Sequence, residues 1–400
     1  MELLTPDDAP DDARYRNLNL VLGTNGAGKS TVLKAAALGL LTPLFQMGAP
    51  FPRPFWVRRT QHGSADGAHV HVDLRLHAVD RAGARPEDER IELCSVDVTV
   101  IPVDGGDELI QVDNVDPIWA PIHEFNASFF VAAYGASRRV GPDRQALARF
   151  DRVGTLFDES RGLVPLDAAL PRIAARSAER FEALVDLLDR LLPDGTTLER
   201  DATRAGNVAF IHRGLSTPYG ALSDGYQAYL AWMGDLLVQL EATCPTGHAL
   251  ESLEGVVLID EVDSHLHPGW QLDLLPTLAA CLPRIQFICT THSPFVVGSV
   301  EACNVHVLEG ESAAVIRPMD EELFGLSSDQ IVTGAAFGLP SSRARSFVSE
   351  IERVEREAID DPAAALRFAQ MLAHGGAETA MPPGAPPDWV ARLTNRKGRE

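Results

Sequence analysis

Residues Gly23 to Ser30 read Gly-Thr-Asn-Gly-Ala-Gly-Lys-Ser and match the pattern G-x-x-x-x-G-K-[ST]. The apolar run Leu18-Asn19-Leu20-Val21-Leu22 before it has the length of a buried strand. Thr31 to Leu38 after it is rich in helix formers. Strand, glycine loop and helix form the arrangement that phosphate binding needs. Glycines let backbone N–H groups close around phosphate oxygens where a side chain would obstruct, and the helix N-terminus adds partial positive charge. Gly23, Thr24, Asn25, Gly26, Ala27, Gly28 and Thr31 would form the cradle. Lys29 would reach the β- and γ-phosphates of a nucleotide, and the Ser30 hydroxyl would sit on Mg2+.

A loop of this kind needs a sizeable sheet behind it, and 400 residues can bury one. The formal net charge of -21 argues against a surface coated with basic residues for nucleic acid, though not against a local basic groove. The cysteines are Cys94, Cys244, Cys281, Cys289 and Cys303, dispersed and without a C-x-x-C pair. They read as reduced thiols of a cytoplasmic protein, not as a disulfide framework or a zinc site. No signal segment and no run of about 20 apolar residues is visible, so a soluble protein with no membrane contact is expected.

Along the chain, residues 1–17 read as a loose acidic leader. Pro43 to Gly67 reads as a long loop carrying Arg58 and Arg59. Val70, Val72, Leu74 and Leu76 alternate with polar residues, as do Val96, Val98 and Val100, which predicts half-buried antiparallel strands joined by the charged stretch Asp80 to Arg90. Ser128 to Tyr134 is a further apolar run, ending at Gly135-Ala136-Ser137-Arg138-Arg139, either a nucleotide or partner contact or a surface turn. Residues 141–195 are helical in pattern, with Ile173, Phe181, Leu184, Val185, Leu188, Leu191 and Leu192 largely on one face. Val256 to Ile259 and Ile285 to Cys289 are nearly continuous apolar strands, and the helix between them makes a βαβ unit. The tail from about 320 is helix-prone, with a Pro-rich turn at 382–387 before Trp389.

Polar residues that end these strands carry the chemistry. Asp260 would hold Mg2+, and Glu261, one residue on, would act as general base on the attacking water. His292, at the end of the neighbouring strand, would hydrogen-bond the γ-phosphate. Ser223 and Gly225 open a helix, which makes either an N-cap or a second anion site.

Gly23–Ser30, Leu222–Gln227, Val256–Glu261 and Thr291-His292, in this order, resemble the Walker A, signature, Walker B and switch-histidine motifs of the ABC-type ATPases. The stretch Asp260-Glu261-Val262-Asp263-Ser264-His265-Leu266-His267-Pro268 is similar to the RecF-, SMC- and OLD-like soluble ATPases of the AAA type, as are Thr291 to Phe295 and Leu326 to Ile331. The resemblance implies an α/β P-loop NTPase fold: an ABC-type head over residues 18–340, with a mostly parallel sheet, an antiparallel β part and a helical insertion, followed by a helical tail at 341–400. It implies an ATPase using ATP and Mg2+, and an ATP-dependent homodimer in which Ser223 and Gly225 complete the site of the other copy. Asp263 would then lie at the dimer seam, with His265 and His267 beside it as seam contacts or, by their spacing, metal ligands. Relatives of this kind act in DNA repair and anti-phage defence, often beside a nuclease, and this chain has no nuclease signature of its own. The signature departs from the usual Leu-Ser-Gly-Gly-Gln in placing Asp224 after Ser223. No glutamine ends the Phe129–Tyr134 run where a Q-loop is expected, Gln145 lies further on, and only Tyr15 precedes the loop as an adenine-stacking aromatic. The expected function is ATP-driven dimerisation that gates a nucleic-acid, repair or defence process through a partner effector. The alternatives are an assembly switch without nucleic acid and a transporter ATPase subunit. A basic groove along Arg58, Arg59, Arg138 and Arg139 would favour nucleic acid.

Overall fold

Near-continuous apolar runs can be covered on both faces, and here they form one mixed sheet. The structure, a computed structural model, describes residues 1–46 apart from 2, 8, 11 and 12, then 59–60, 63–64, 67–76, 93–102, 108–115, 130–142, 151–310, 315–358 and 361–375. The strands in chain order are β1 (Leu18–Gly23), β2 (Arg59–Thr60), β3 (Gly63–Ser64), β4 (Ala68–Arg75), β5 (Leu93–Pro102), β6 (Glu108–Val115), β7 (Phe130–Tyr134), β8 (Thr197–Leu198), β9 (Ala209–His212), β10 (Leu215–Pro218), β11 (Gly255–Ile259), β12 (Ile285–Thr290), β13 (Val305–Glu309) and β14 (Val315–Pro318). The six-stranded sheet has the order β14-β13-β1-β12-β11-β7. All its pairings are parallel except that of the edge strand β14 with β13. The parallel strands therefore end on one side, and the loops that follow them share one rim.

The helix Lys29–Gln46 lies between this sheet and a second, antiparallel sheet of order β4-β5-β6. Its Leu33, Ala37, Leu38, Leu40 and Leu41 share a core with Val96, Val98 and Val100 of β5 and with Val21, Val131 and Leu258 of the large sheet. The alternation along β4 and β5 turns His69, His71 and Asp73 outward, as period two requires. The helix runs past Pro43, where the sequence suggests a loop, and burial of Leu40, Leu41 and Thr42 carries it there. Arg58, Asp80–Arg90, Ser128, Phe129, Gln145, residues 382–387 and Trp389 lie outside the described residues.

Leu4 of the leader is tied to the large sheet. Leu4 accepts from and donates to the Asn19 side-chain amide at 2.8 and 2.7 Å, and Gln286 Nε2 donates to the Leu4 carbonyl at 2.7 Å. An amide side chain thus gives residue 4 the two bonds that a neighbouring strand would give. Its acidic composition hid this, because the partners are asparagine and glutamine far along the chain.

Helical pattern after residue 141 resolves into Gly154–Phe157, Leu166–Arg176 and Ala178–Leu191, the last stopped at Pro193-Asp194-Gly195. A small antiparallel sheet of order β10-β9-β8 follows, and then the helix Asp224–Thr243. The chain divides into two units, Met1–Ile331 and Val332–Glu400. In the second, the helices Arg345–Ala358 and Pro362–Gly375 pair with each other.

The approach of the Lys29–Gln46 helix to β4 is close enough to test. A Cβ built on Gly39 would lie 2.4 Å from Val72 Cγ2. Gly39→Ala is expected to lower stability by about 1–3 kcal/mol despite alanine's better helix propensity. Adding Val72→Ala should recover part of that loss in urea unfolding. A single variant as stable as the parent would show that the two layers are not in contact there.

Candidate nucleotide site

β1 delivers Gly23 to the rim, and the loop turns through Gly26 (φ 78°) and Gly28 (φ 106°) into the Lys29–Gln46 helix. Both glycines sit in left-handed backbone that other residues resist. Gly23 is required for a different reason: a Cβ there would lie 2.8 Å from the Leu308 carbonyl oxygen of β13. Thr24, Asn25 and Thr31 are exposed, whereas Ala27 and Ser30 are half-buried. Lys29 Nζ donates to the carbonyls of Gly23 (2.9 Å) and Thr24 (3.1 Å). Burial pushes the Lys29 amine below its ordinary pKa, and the carboxylates of Asp260, Glu261 and Asp263 oppose that shift.

The Asp260 turn leaves β11, and β12 separates it from β1. Thr290, the last residue of β12, ties the two ends together. Its hydroxyl donates to Asp260 Oδ1 at 2.6 Å and accepts from the Glu261 N–H at 2.8 Å. Asp260 is buried, and its Oδ2 has no hydrogen-bond partner among the described residues. Glu261 holds a left-handed backbone at φ 46°, and its Oε2 accepts from Ser264 Oγ at 3.0 Å. Asp263 Oδ1 accepts from the Thr291 hydroxyl and, at 3.3 Å, from the His292 N–H. Asp263 thus fastens its turn to the Thr291-His292 segment. The His292 ring is half-buried and has no hydrogen-bond partner among the described residues.

Gly23–Ser30, Asp260-Glu261 and His292 are thereby brought to one rim. Ser223 and Gly225 adjoin the later part of the Asp260 turn, at His265 to His267, and not Gly23–Ser30. They start the helix Asp224–Thr243, which packs on β7 at the far edge of the sheet from β1. They line a depression of about 470 Å3 together with Tyr226, His265, Leu266, His267 and Trp270. Ser223 occupies the N-cap position, yet its side chain makes no capping hydrogen bond. A Cβ at Gly225 would meet nothing nearer than the His265 carbonyl oxygen at 3.5 Å, so this fold does not itself demand a glycine there. Asp224 is exposed in the first helical turn, where a carboxylate favours the helix dipole. His267 Nδ1 accepts from the Gly269 N–H at 3.1 Å and caps the next helix, and no group of three or more His, Cys, Asp or Glu placed to hold a metal ion occurs among the described residues.

Two residues of the site escape sequence reasoning. Thr290 looks like an ordinary strand residue, and only its place beside the acidic strand end hints otherwise. Arg138 was expected on a surface or groove, but it is buried, with Nη2 donating to the carbonyls of Asp260 and Glu261, each at 2.7 Å. It therefore contributes no basic surface, and Arg139 alone of that pair is exposed.

The domain family described as "AAA domain, putative AbiEii toxin, Type IV TA system" matches residues 143–298. The chain is similar to Septu protein PtuA of Bacillus mycoides (strain KBAB4), at 26% identity over 225 residues, 52% of this chain and 29% of that protein. It is also similar to the Retron Ec83 probable ATPase of Escherichia coli, at 40% identity over 88 residues, 22% of this chain and 16% of that protein. The matches thus span less than a third of the length of these curated relatives. Among solved structures, an SMC head bound to the C-winged helix domain of ScpA aligns with a TM-score of 0.47 at 14% identity, over 76% of this chain and 91% of that chain.

The helix that carries Ser223 and Gly225 is pinned by Asp235, whose Oδ2 accepts from Tyr134 Oη (2.9 Å) and whose Oδ1 accepts from the Val164 N–H (2.8 Å). Burial pushes the Asp235 carboxyl up to about 6, above the 3.8 of an ordinary aspartate. A raised folded-state pKa gives stability that is complete below the unfolded value and lost as pH rises through the folded one. From pH 5.5 to 7.5 this group should cost the fold about 1 kcal/mol. Asp235→Asn should remove that part of the pH dependence in paired urea titrations. An unchanged slope would mean that Asp235 does not titrate there.

Proposed function

We propose that this chain, a P-loop ATPase of the AAA group with an ABC-type head, hydrolyses ATP, dimerises on it, and so gates a partner effector in defence. The cradle Gly23–Thr31 would bind the phosphates, and Lys29 would exchange its loop carbonyls for phosphate oxygens. Ser30 and Asp260 offer the hard oxygen donors that suit Mg2+, and the unpartnered Asp260 Oδ2 fits that use. Bound there, Mg2+ would neutralise charge on the phosphate oxygens. Glu261 would take a proton from water as its oxygen bonds to the γ-phosphorus and the bond to the β-phosphate oxygen breaks. His292, whose N–H is tied to Asp263 and whose ring has no hydrogen-bond partner among the described residues, would sense the γ-phosphate.

One observation carries the dimer. Ser223 and Gly225 line a depression that none of Gly23–Ser30 lines, the serine hydroxyl does no capping, and the glycine is not needed by its own fold. Such residues suit a nucleotide presented by a second copy. The matched Septu and retron relatives support a defence role over repair, and the retron relative is itself described as a "probable ATPase". The net charge of -21 and the burial of Arg138 favour a protein effector, such as a nuclease, that makes any nucleic-acid contact itself. That charge equally suits the second reading, a protein-assembly switch without nucleic acid.

Glu261→Gln should retain ATP, lose turnover, and run as a dimer in size-exclusion chromatography with Mg-ATP. Adding Gly225→Ala should return it to monomer while calorimetry still records ATP binding. Lys29→Ala is expected to abolish binding itself. A Glu261→Gln chain that stays monomeric at saturating ATP would sink the composite site, and unchanged affinity in Lys29→Ala would sink the phosphate assignment.

A further inference from the structure

Arg138 is a buried cation with no carboxylate in ion-pair contact among the described residues, and its hydrogen bonds go to the two successive carbonyls of Asp260 and Glu261. Burying a guanidinium costs several kcal/mol unless its surroundings compensate. A methionine of similar length would avoid that cost. Packing alone therefore does not explain an arginine here. The guanidinium also lies 5.1 Å from the ring of Trp232, which is fully buried, so its plane is held from one side. Its Nε and Nη1 are buried without partners among the described residues.

What Arg138 touches is the backbone of the acidic turn. Glu261 sits at φ 46°, a conformation that costs a residue with a Cβ on the order of 1–2 kcal/mol. Something must hold it there. Its N–H is held by Thr290 Oγ1, and its carbonyl by Arg138 Nη2 and by the Ser264 N–H at 2.9 Å. Fixing both ends of one residue fixes the direction of its Cα–Cβ bond, and so the volume its carboxylate can sweep. The segment carrying Arg138 leaves β7 through Gly135, where a Cβ would lie 2.3 Å from the Thr155 carbonyl oxygen, so this turn is itself sterically fixed.

We infer that Arg138 is a positioning residue for ATP hydrolysis: by gripping the Asp260 and Glu261 carbonyls it keeps Glu261 in the left-handed turn that aims its carboxylate. It does not touch nucleotide. The inference rests on Glu261 being the base, and the test separates the two.

Steady-state ATP hydrolysis and calorimetric ATP binding of the full chain are compared for Arg138→Met, Arg138→Lys, Glu261→Gln and Arg138→Met with Glu261→Gln. Loss of a charge-assisted grip predicts a fall in kcat of about 10- to 100-fold in Arg138→Met, and a smaller fall in Arg138→Lys. ATP affinity should stay within about threefold in both. Because Arg138 acts through Glu261, the double variant should be no slower than Glu261→Gln alone. Wild-type kcat in Arg138→Met while Glu261→Gln is inactive overturns the inference and leaves the base assignment standing. Full activity in Glu261→Gln overturns the base assignment, and with it this role for Arg138. A double variant slower by the product of the single effects also overturns the inference, since the two residues would then act independently. Should Arg138→Met fail to fold, Arg138→Lys decides: wild-type kcat refutes the grip, and a reduced kcat with unchanged ATP affinity supports it.

Discussion

The site depends on where β12 lies. Neighbouring strands sit about 4.8 Å apart, so placing β12 between β1 and β11 sets the glycine loop and the acidic turn roughly 10 Å from each other. That gap is wide enough for phosphates and a metal, and too wide for the two ends to touch directly. The side chains of Thr290 and Thr291 span part of it from below, one to Asp260 and one to Asp263. Every element of the rim is then referenced to one strand. Moving β12 would disturb Asp260, Glu261 and His292 at once.

The layers behind the rim explain its rigidity. The helix that starts at Lys29 is clamped between two sheets, and its lack of a side chain at Gly39 lets β4 come close. On the other edge, β7 serves two masters. Its last residue, Tyr134, accepts the Asp260 N–H through its carbonyl at 2.8 Å and donates its hydroxyl to Asp235 on the helix Asp224–Thr243. The residue that ends β7 thus joins the acidic turn to the helix bearing Ser223 and Gly225. A displacement of that helix, such as a second copy could impose, has a direct mechanical route to Asp260.

How much of this was legible follows from how local each signal is. The glycine loop, the apolar strands and their polar ends are contiguous patterns, and the parallel sheet appears where they put it. Period-two alternation revealed β4 and β5 for the same reason. The ties between segments were not legible. Leu4 to Asn19, Thr290 to Asp260 and Arg138 to the Asp260 and Glu261 carbonyls join residues whose types are ordinary in isolation. A lone arginine after a glycine turn reads as surface, because burying one is expensive, and only a three-dimensional partner makes it worthwhile. The order β14-β13-β1-β12-β11-β7 likewise depends on crossovers, which leave no local signature.

The exceptions to local rules gather in one place. Among the described residues, the non-glycine positions with positive φ are Arg213, Glu261 and His265. Arg213 belongs to the tight hairpin between β9 and β10, where such backbone is usual. Glu261 and His265 lie in one acidic turn, which also binds a buried arginine and has a carboxylate oxygen left unpartnered. Non-glycine backbone at positive φ costs energy and persists only where the surrounding structure over-determines it. Here the Thr290 hydroxyl and the Arg138 guanidinium hold the Glu261 backbone in that conformation, on a strand end that β12 separates from β1 and its glycine loop.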